Sequence, residues 1–252
     1  MRIVFLLNML LMTGAILLTG GAAQGQQKVL VAAAADLRYA MDSLVATYTR
    51  MHPDARIEAT YGSSGNFYEQ IQNGGPYDLF FSADMDYVVK LKAEGKVYGN
   101  VVRYATGHLV LWSRSLDPSD KKMQLLTDPA VKKIAIANPA HAPYGKRAVE
   151  SLEYYKLYDQ VKDKLVLGEN ISQTAQFAAT GSADVGLIAL SLALSPSMKE
   201  GRFWRVPEAS HSLLEQGYAL LQHGAANTEA RNFAVFITTP PAKAVLTRFG
   251  FE

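Results

Sequence analysis

Five short stretches of the chain pass from a strand-like run into a helical one through small or hydroxyl-bearing residues. They are Ala35-Asp36, Gly62-Ser63-Ser64-Gly65, Ser82-Ala83-Asp84, Ala142-Pro143-Tyr144-Gly145 and Glu169-Asn170-Ile171-Ser172. The chemistry such turns offer is anion binding. The first amides of a helix have no partner inside it, and the helix dipole places about half a positive charge at that end. Several helix starts aimed at one point can hold an anion without a charged side chain. Serine hydroxyls add donors, and glycine removes the Cβ that would keep a ligand away. Taken singly, each turn is explained as a helix cap, because Ser, Asp and Asn are the preferred capping residues. Taken together they point to a small-anion receptor.

Other chemistry finds less support. Ser63 and Ser64 could be read as nucleophiles of an exported serine hydrolase, but "GSSG" does not give the Gly-x-Ser-x-Gly spacing, and no His and Asp partners stand out. The histidines, His52, His108, His141, His211 and His223, have no zinc-binding spacing; His141 could border a cleft but reads as a surface-loop residue. Tyr154-Tyr155 could bind ferric iron, yet it falls inside a helical pattern where one ring packs and the other faces solvent. Asp36, Asp84 and Glu169 read as helix caps rather than a paired-carboxylate site, and Trp112 and Trp204 as packing residues near the points where the chain crosses between lobes. No catalytic residue, metal ligand or cofactor is therefore expected.

The elements that must position these turns alternate along the chain. "KVLVAAAADL" opens with a continuous apolar run suited to a strand buried on both faces. From Leu37 the apolar residues recur every three or four positions through Ala40, Met41, Leu44, Val45 and Tyr48, a helix that ends before "HPDA". "ARIEATYG", "YDLFFSAD", "HLVLWS", "KKIAIANP", "KLVLGEN", "ADVGLIAL" and "EQGYALLQH" read as further strands. Phe67–Gln72, "MDYVVKLKAEGK", "APYGKRAVESLEYYKLYDQV" and "ISQTAQFAATGS" read as helices, and the C-terminal stretch as two helices broken at Pro240-Pro241. The alternation predicts an α/β fold with mostly parallel sheets. Because the turns are spread over the whole length, two lobes with a ligand cleft between them are expected. Lobe 1 is assigned residues 27–105 with 218–252, and lobe 2 residues 106–217. With no Pro/Ser linker, the hinge must be made of crossing strands.

Residues 1–26 form a separate unit. Arg2 precedes the apolar "IVFLLNMLLMTGAILL", and small residues follow with cleavage sites after Ala23 or Gly25, the pattern of a secretory signal peptide rather than a membrane anchor. The chain has no cysteine, which excludes lipid anchoring at the cleavage point and any disulfide. With 25 Lys plus Arg against 23 Asp plus Glu, the charge gives no reason to expect nucleic acid. A soluble monomer exported to a periplasm is expected.

The chain resembles the molybdate-binding proteins, the periplasmic solute receptors of ABC importers. The resemblance rests on "VAAAADLRYAM", "YGSSGNFYEQIQNGGPYDLFFSAD", "GENISQTAQFAATGSADVGLIAL" and the terminal "RFGF", in family order over nearly the whole mature chain. It implies two α/β lobes closing over a tetrahedral oxyanion, molybdate or tungstate, held by hydrogen bonds alone and delivered to an inner-membrane permease. By the same resemblance the first turn supplies a Ser hydroxyl and backbone at the position of Asp36, and the second turn a Ser at Ser64. Backbone N–H groups come from the positions of Ala83, Tyr144 and Ile171, and a Tyr hydroxyl falls on Ala189. Ala189 and Asp36 depart from the pattern. The Tyr144 phenol could replace the hydroxyl missing at Ala189. Asp36 is expected to turn away and cap the helix from Leu37, leaving only its backbone N–H in the site. The alternatives are that it accepts a proton-bearing oxyanion such as hydrogen phosphate, or is itself protonated, and a phosphate or sulfate receptor is the corresponding second reading.

Overall fold

The computed structural model describes residues 28–252, so the expected signal peptide lies outside the described residues. Among the described residues ten strands form two five-stranded sheets. The first contains β1 (Lys28–Ala34), β2 (Arg56–Gly62), β3 (Leu79–Ser82), β4 (Val102–Gly107) and β10 (Leu214–Leu220), in the order β2-β1-β3-β10-β4. The second contains β5 (Leu109–Ser113), β6 (Ile134–Ala137), β7 (Leu165–Gly168), β8 (Val185–Ala189) and β9 (Arg202–Arg205), in the order β7-β6-β8-β5-β9. No helix of the described residues is long and apolar enough to cross a membrane.

Each sheet is parallel on one side and antiparallel on the other. β1 runs parallel to β2 and β3, and β6 parallel to β7 and β8. β10 is antiparallel to both its neighbours, as is β5. The sheets are thus less parallel than the alternation suggests, and the antiparallel strands sit where the chain changes sheet. β4 ends at Gly107 and β5 begins at Leu109, so the outward crossing is a single residue, His108; the return runs from β9 into β10. The sequence-based lobe borders, after 105 and before 218, therefore fall inside β4 and β10.

β1 shows why the first sheet is buried on both faces. Val29, Val31 and Ala33 face one core with Met41, Leu44, Phe233 and Leu246, while Ala32 faces a second with Phe67, Phe80 and Leu91. Successive side chains of a strand point to opposite faces, so a central strand covered on both sides must be apolar throughout. The helix after it, Arg38–Met51, buries Ala40, Met41, Leu44 and Tyr48 at helical spacing. β4 and β9 are strands that the pattern does not announce. The long run after Ala142 is also divided, into helices Pro143–Tyr154 and Tyr158–Val161. Lys156 stands between them at φ 58°, the Leu157 amide bonds back to the Leu152 carbonyl at 2.8 Å, and Leu157 is buried. This is a helix-ending turn built on a left-handed residue, here without the usual glycine.

Candidate functional site: a small cavity at the strand ends

The carboxyl ends of the parallel strands from both sheets meet at one small cavity. It is lined by Ala34, Ala35 and Asp36 at the end of β1, Gly62, Ser63 and Ser64 at the end of β2, and Ala83 after β3. From the other lobe come Ala142, Pro143 and Tyr144, which follow β6, and Ile171, which follows β7. In open α/β sheets this is the end at which ligands bind, because the following helices start there. Helices begin at Ser64, Pro143 and Ile171, and their first-turn amides have no partner within the helix.

Local chemistry fixes each helix start. Ser63 is the cap of Ser64–Gln72, its hydroxyl accepting from the Asn66 amide, and Asn170 caps Ile171–Thr180 through the Ser172 and Gln173 amides. Pro143 occupies the first turn of its own helix, where a missing N–H costs nothing. Ser64 is fully buried, and its Oγ accepts from the Ala83 amide at 3.0 Å. That bond occupies the Ala83 N–H in this structure and leaves the Ser64 hydroxyl proton to donate.

Of the six positions singled out from the sequence, Asp36, Ser64, Ala83, Tyr144 and Ile171 line this one cavity. Ala189 is not among the lining residues. It ends β8, buried and paired with Leu109. The Tyr144 phenol does not stand in for a ligand hydroxyl there, because it donates to Asp36 Oδ2 at 3.1 Å.

Asp36 corrects the expectation of a helix cap. It sits inside a 3-10 turn, Ala35–Leu37, and the α-helix that starts at Arg38 has no side-chain cap. Its carboxylate is 1% exposed and reaches across the molecule instead. Oδ2 accepts from Tyr144 Oη and, at 2.5 Å, from Gln216 Nε2 on β10. Gln216 is oriented by the Tyr104 hydroxyl, which donates to its Oε1. Oδ1 is buried and has no hydrogen-bond partner. Burial pushes the Asp36 carboxyl up to about 6, against the pull of the Gln216 and Tyr144 hydrogen bonds and of the nearby Asp36 and Leu37 amides. The Tyr144 phenol is raised too, by burial and then by the Asp36 charge.

The lobes touch around the cavity. The Gly65 amide donates to the His141 carbonyl at 2.9 Å, and His141 Nδ1 lies 2.9 Å from Ser63 Oγ. A Cβ on Gly65 would lie 2.6 Å from that carbonyl oxygen, so this glycine permits the approach. His141 is thus a cleft residue rather than a surface-loop one. Ser191 Oγ donates to the Asp36 carbonyl at 2.8 Å, and Arg147 faces Asp84 at 3.4 Å. Gln216, Tyr104 and Ser191 were not visible as site residues in the sequence. The nearest signal is a Gln in the otherwise apolar end of "EQGYALL", where Gln216 proves fully buried. Tyr154 is exposed, with its ring edge-on to Tyr155, and Trp112 and Trp204 pack in the lobe 2 core.

The profile of the bacterial extracellular solute-binding proteins matches residues 29–252. This chain belongs to that family. Among its relatives are the proteins named molybdate-binding protein ModA of Rhodobacter capsulatus, 38% identical over 77% of both chains, and of Azotobacter vinelandii, 35% identical over 91% of both. The solved structure of the Azotobacter vinelandii periplasmic molybdate-binding protein superposes with a TM-score of 0.84 at 29% identity, covering 89% of this chain and 98% of that one. The solute-binding family accounts for the two-lobed architecture, and the resemblance read from "YGSSGN" and its companion stretches holds. In this solute-binding protein the second glycine of that stretch serves the meeting of the lobes, and its second serine serves the cavity.

Proposed function

We propose that this solute-binding protein captures molybdate, or tungstate, in the periplasm and hands it to the permease of an ABC importer, with no chemical step. The observation that carries the reading is the cavity itself, where helix starts from both lobes and the Ser64 hydroxyl converge and no Lys or Arg lines the wall. Neutral donors at helix N-termini are the means by which a small dianion is held without a counter-charge. The relatives' names support the choice of oxyanion. Ser64, the Tyr144 and Ile171 backbone, and residue 36 are the proposed ligand contacts, while the Ala83 amide orients the Ser64 hydroxyl from behind; Ala189 is left as a packing residue. Contacts made to the ligand from both lobes favour the closed form, and closure is the state presented to the permease.

Asp36 gives specific ground for the second reading, a receptor for another oxyanion such as phosphate or sulfate. An ionised carboxylate about 4 Å from a unit negative charge costs about 4 kcal/mol at an effective dielectric of 20. A dianion and an ionised Asp36 therefore cannot share the cavity cheaply. Thermal unfolding with molybdate, tungstate, sulfate and phosphate in turn separates the readings. Ligand at about a hundred times its Kd adds about 2.7 kcal/mol, which raises the midpoint of a chain this size by roughly 5–10 °C. We expect molybdate and tungstate to give that rise. A rise with phosphate or sulfate alone would replace the proposal with the second reading.

A further inference from the structure

Among the described residues Asp36 is the one carboxyl group lining the cavity, and its two oxygens are used differently. Oδ2 is committed as an acceptor, taking the Tyr144 hydroxyl and the Gln216 amide. The Gln216 amide cannot turn round without loss, because its Oε1 already accepts from Tyr104. A proton placed on Oδ2 would compete with these donors. Oδ1, in contrast, is buried without a partner. A carboxyl group with one saturated oxygen and one vacant one, in the wall of an anion cavity, is set up to carry its proton on the vacant oxygen.

We infer that the oxyanion enters together with one proton, held on Asp36 Oδ1, so that residue 36 meets the ligand as a neutral carboxylic acid donating a hydrogen bond. The inference rests on the oxyanion reading above and gives residue 36 the donor role that the family resemblance assigns to a serine. The proton comes from solvent and is returned on release; no covalent bond to the ligand forms.

The hydrogen bonds of Gln216 and Tyr144 and the Asp36 and Leu37 amides favour the carboxylate, but burial outweighs them and, among the described residues, no charged group faces it. Tyr144 on its helix and Tyr104 on β4 are both neutral phenols, each held far above the usual tyrosine range by burial first and then by the Asp36 charge. Gln216 on β10 and Ser191 after β8 are uncharged. Arg38, on the helix that follows, is drawn to the Tyr61 ring at 4.7 Å. His108, at the crossing, is engaged with Glu208, Glu252 and Arg205. None of these supplies a counter-charge to an ionised Asp36, and the arriving anion opposes ionisation further. Burial already brings the empty protein's Asp36 to about 6. Binding thus takes up about one proton above pH 6, and affinity falls about tenfold per pH unit there, levelling off below it.

The test is titration calorimetry of the purified protein with sodium molybdate, at pH 7.5, in Tris and in PIPES. The two buffers release a proton with different heats, so an uptake of about one proton appears as a difference in apparent enthalpy. A pH series from 5.5 to 8.5 should show the tenfold-per-unit loss of affinity, and Asp36→Asn should bind with an affinity independent of pH and tighter than wild type at pH 8.5. Equal enthalpies in both buffers together with a flat pH profile for wild type would overturn the inference and leave the oxyanion reading standing. Absence of binding by molybdate and tungstate even at pH 5.5 would instead remove that reading, and the inference with it. If Asp36→Asn does not fold, the proton count on wild type decides alone.

Discussion

Asp36 and Asp78 are buried carboxylates of the same lobe, placed at opposite ends of the same sheet. Asp78 stands just before β3 and is 3% exposed. Its Oδ2 accepts from the Leu30 amide at 2.8 Å and from Asn227 Nδ2 at 3.3 Å, and its Oδ1 faces His223 Nδ1 at 2.9 Å. It staples β1, β3 and the start of helix Thr228–Phe236 together, with Gly224 packed directly against it. Both oxygens are used. Asp36, at the other end of β1, has one oxygen used and one left bare. A buried polar atom without a partner costs stability, so full pairing is what a structural carboxylate shows. The unpartnered oxygen of Asp36 lies at the end of the sheet where the cavity is.

The contrast can be broken most strongly at the staple. Asp78→Ala strands the Leu30 amide and the Asn227 side chain and should cost about 1–3 kcal/mol for each buried donor left without a partner. Chemical denaturation should report that loss, while the molybdate affinity of the folded variant stays within a few-fold of wild type. A comparable loss of affinity would mean that the two ends of the sheet are coupled.

The next effect is one of pH. Asp36 has its folded-state value raised, to about 6 from an ordinary 3.8. Between those values the folded form binds more protons than the unfolded one, so unfolding free energy falls as pH rises through this window. The contribution is fully present below about pH 4 and gone above about pH 6, and the shift of roughly two units corresponds to about 3 kcal/mol. Denaturation of the unliganded protein from pH 4 to 8, wild type against Asp36→Asn, should show wild type losing ground to the variant by that order across the window. Parallel curves would show that the Asp36 carboxyl is not raised by its burial. The smallest effect sharpens the same comparison from the cleft side. Gly65→Ala puts a methyl against the His141 carbonyl and should weaken molybdate binding at least tenfold, about 1.4 kcal/mol. The stability of the unliganded protein should hardly change, because Gly65 serves the meeting of the lobes rather than either core.

Much of the site could be read from the chain because helix capping is local. Gly62-Ser63-Ser64-Gly65 and Glu169-Asn170-Ile171-Ser172 announce helix starts within four residues, and the structure places both in one cavity wall. Asp36 could not be read this way. A local rule makes an Asp before a helical run its cap, but the partners that decide its direction, Tyr144 and Gln216, lie 108 and 180 residues away. The sequence-based lobe borders fall inside β4 and β10 for a related reason. β4 draws its pairing from β10, across the whole of lobe 2, and "VRYATG" carries no period of its own.

By itself, then, the sequence determined the α/β alternation, the buried central strand and the turns at the strand ends. Each follows from periodicity or capping within a dozen residues. Only the tertiary structure decided which turns share a cavity, that Ala189 stays outside it, that Gly65 and His141 join the lobes, and which oxygen of Asp36 is left without a partner. Those outcomes depend on bringing distant strand ends within hydrogen-bond reach, and a hydrogen bond is set by tenths of an ångström that no local pattern encodes.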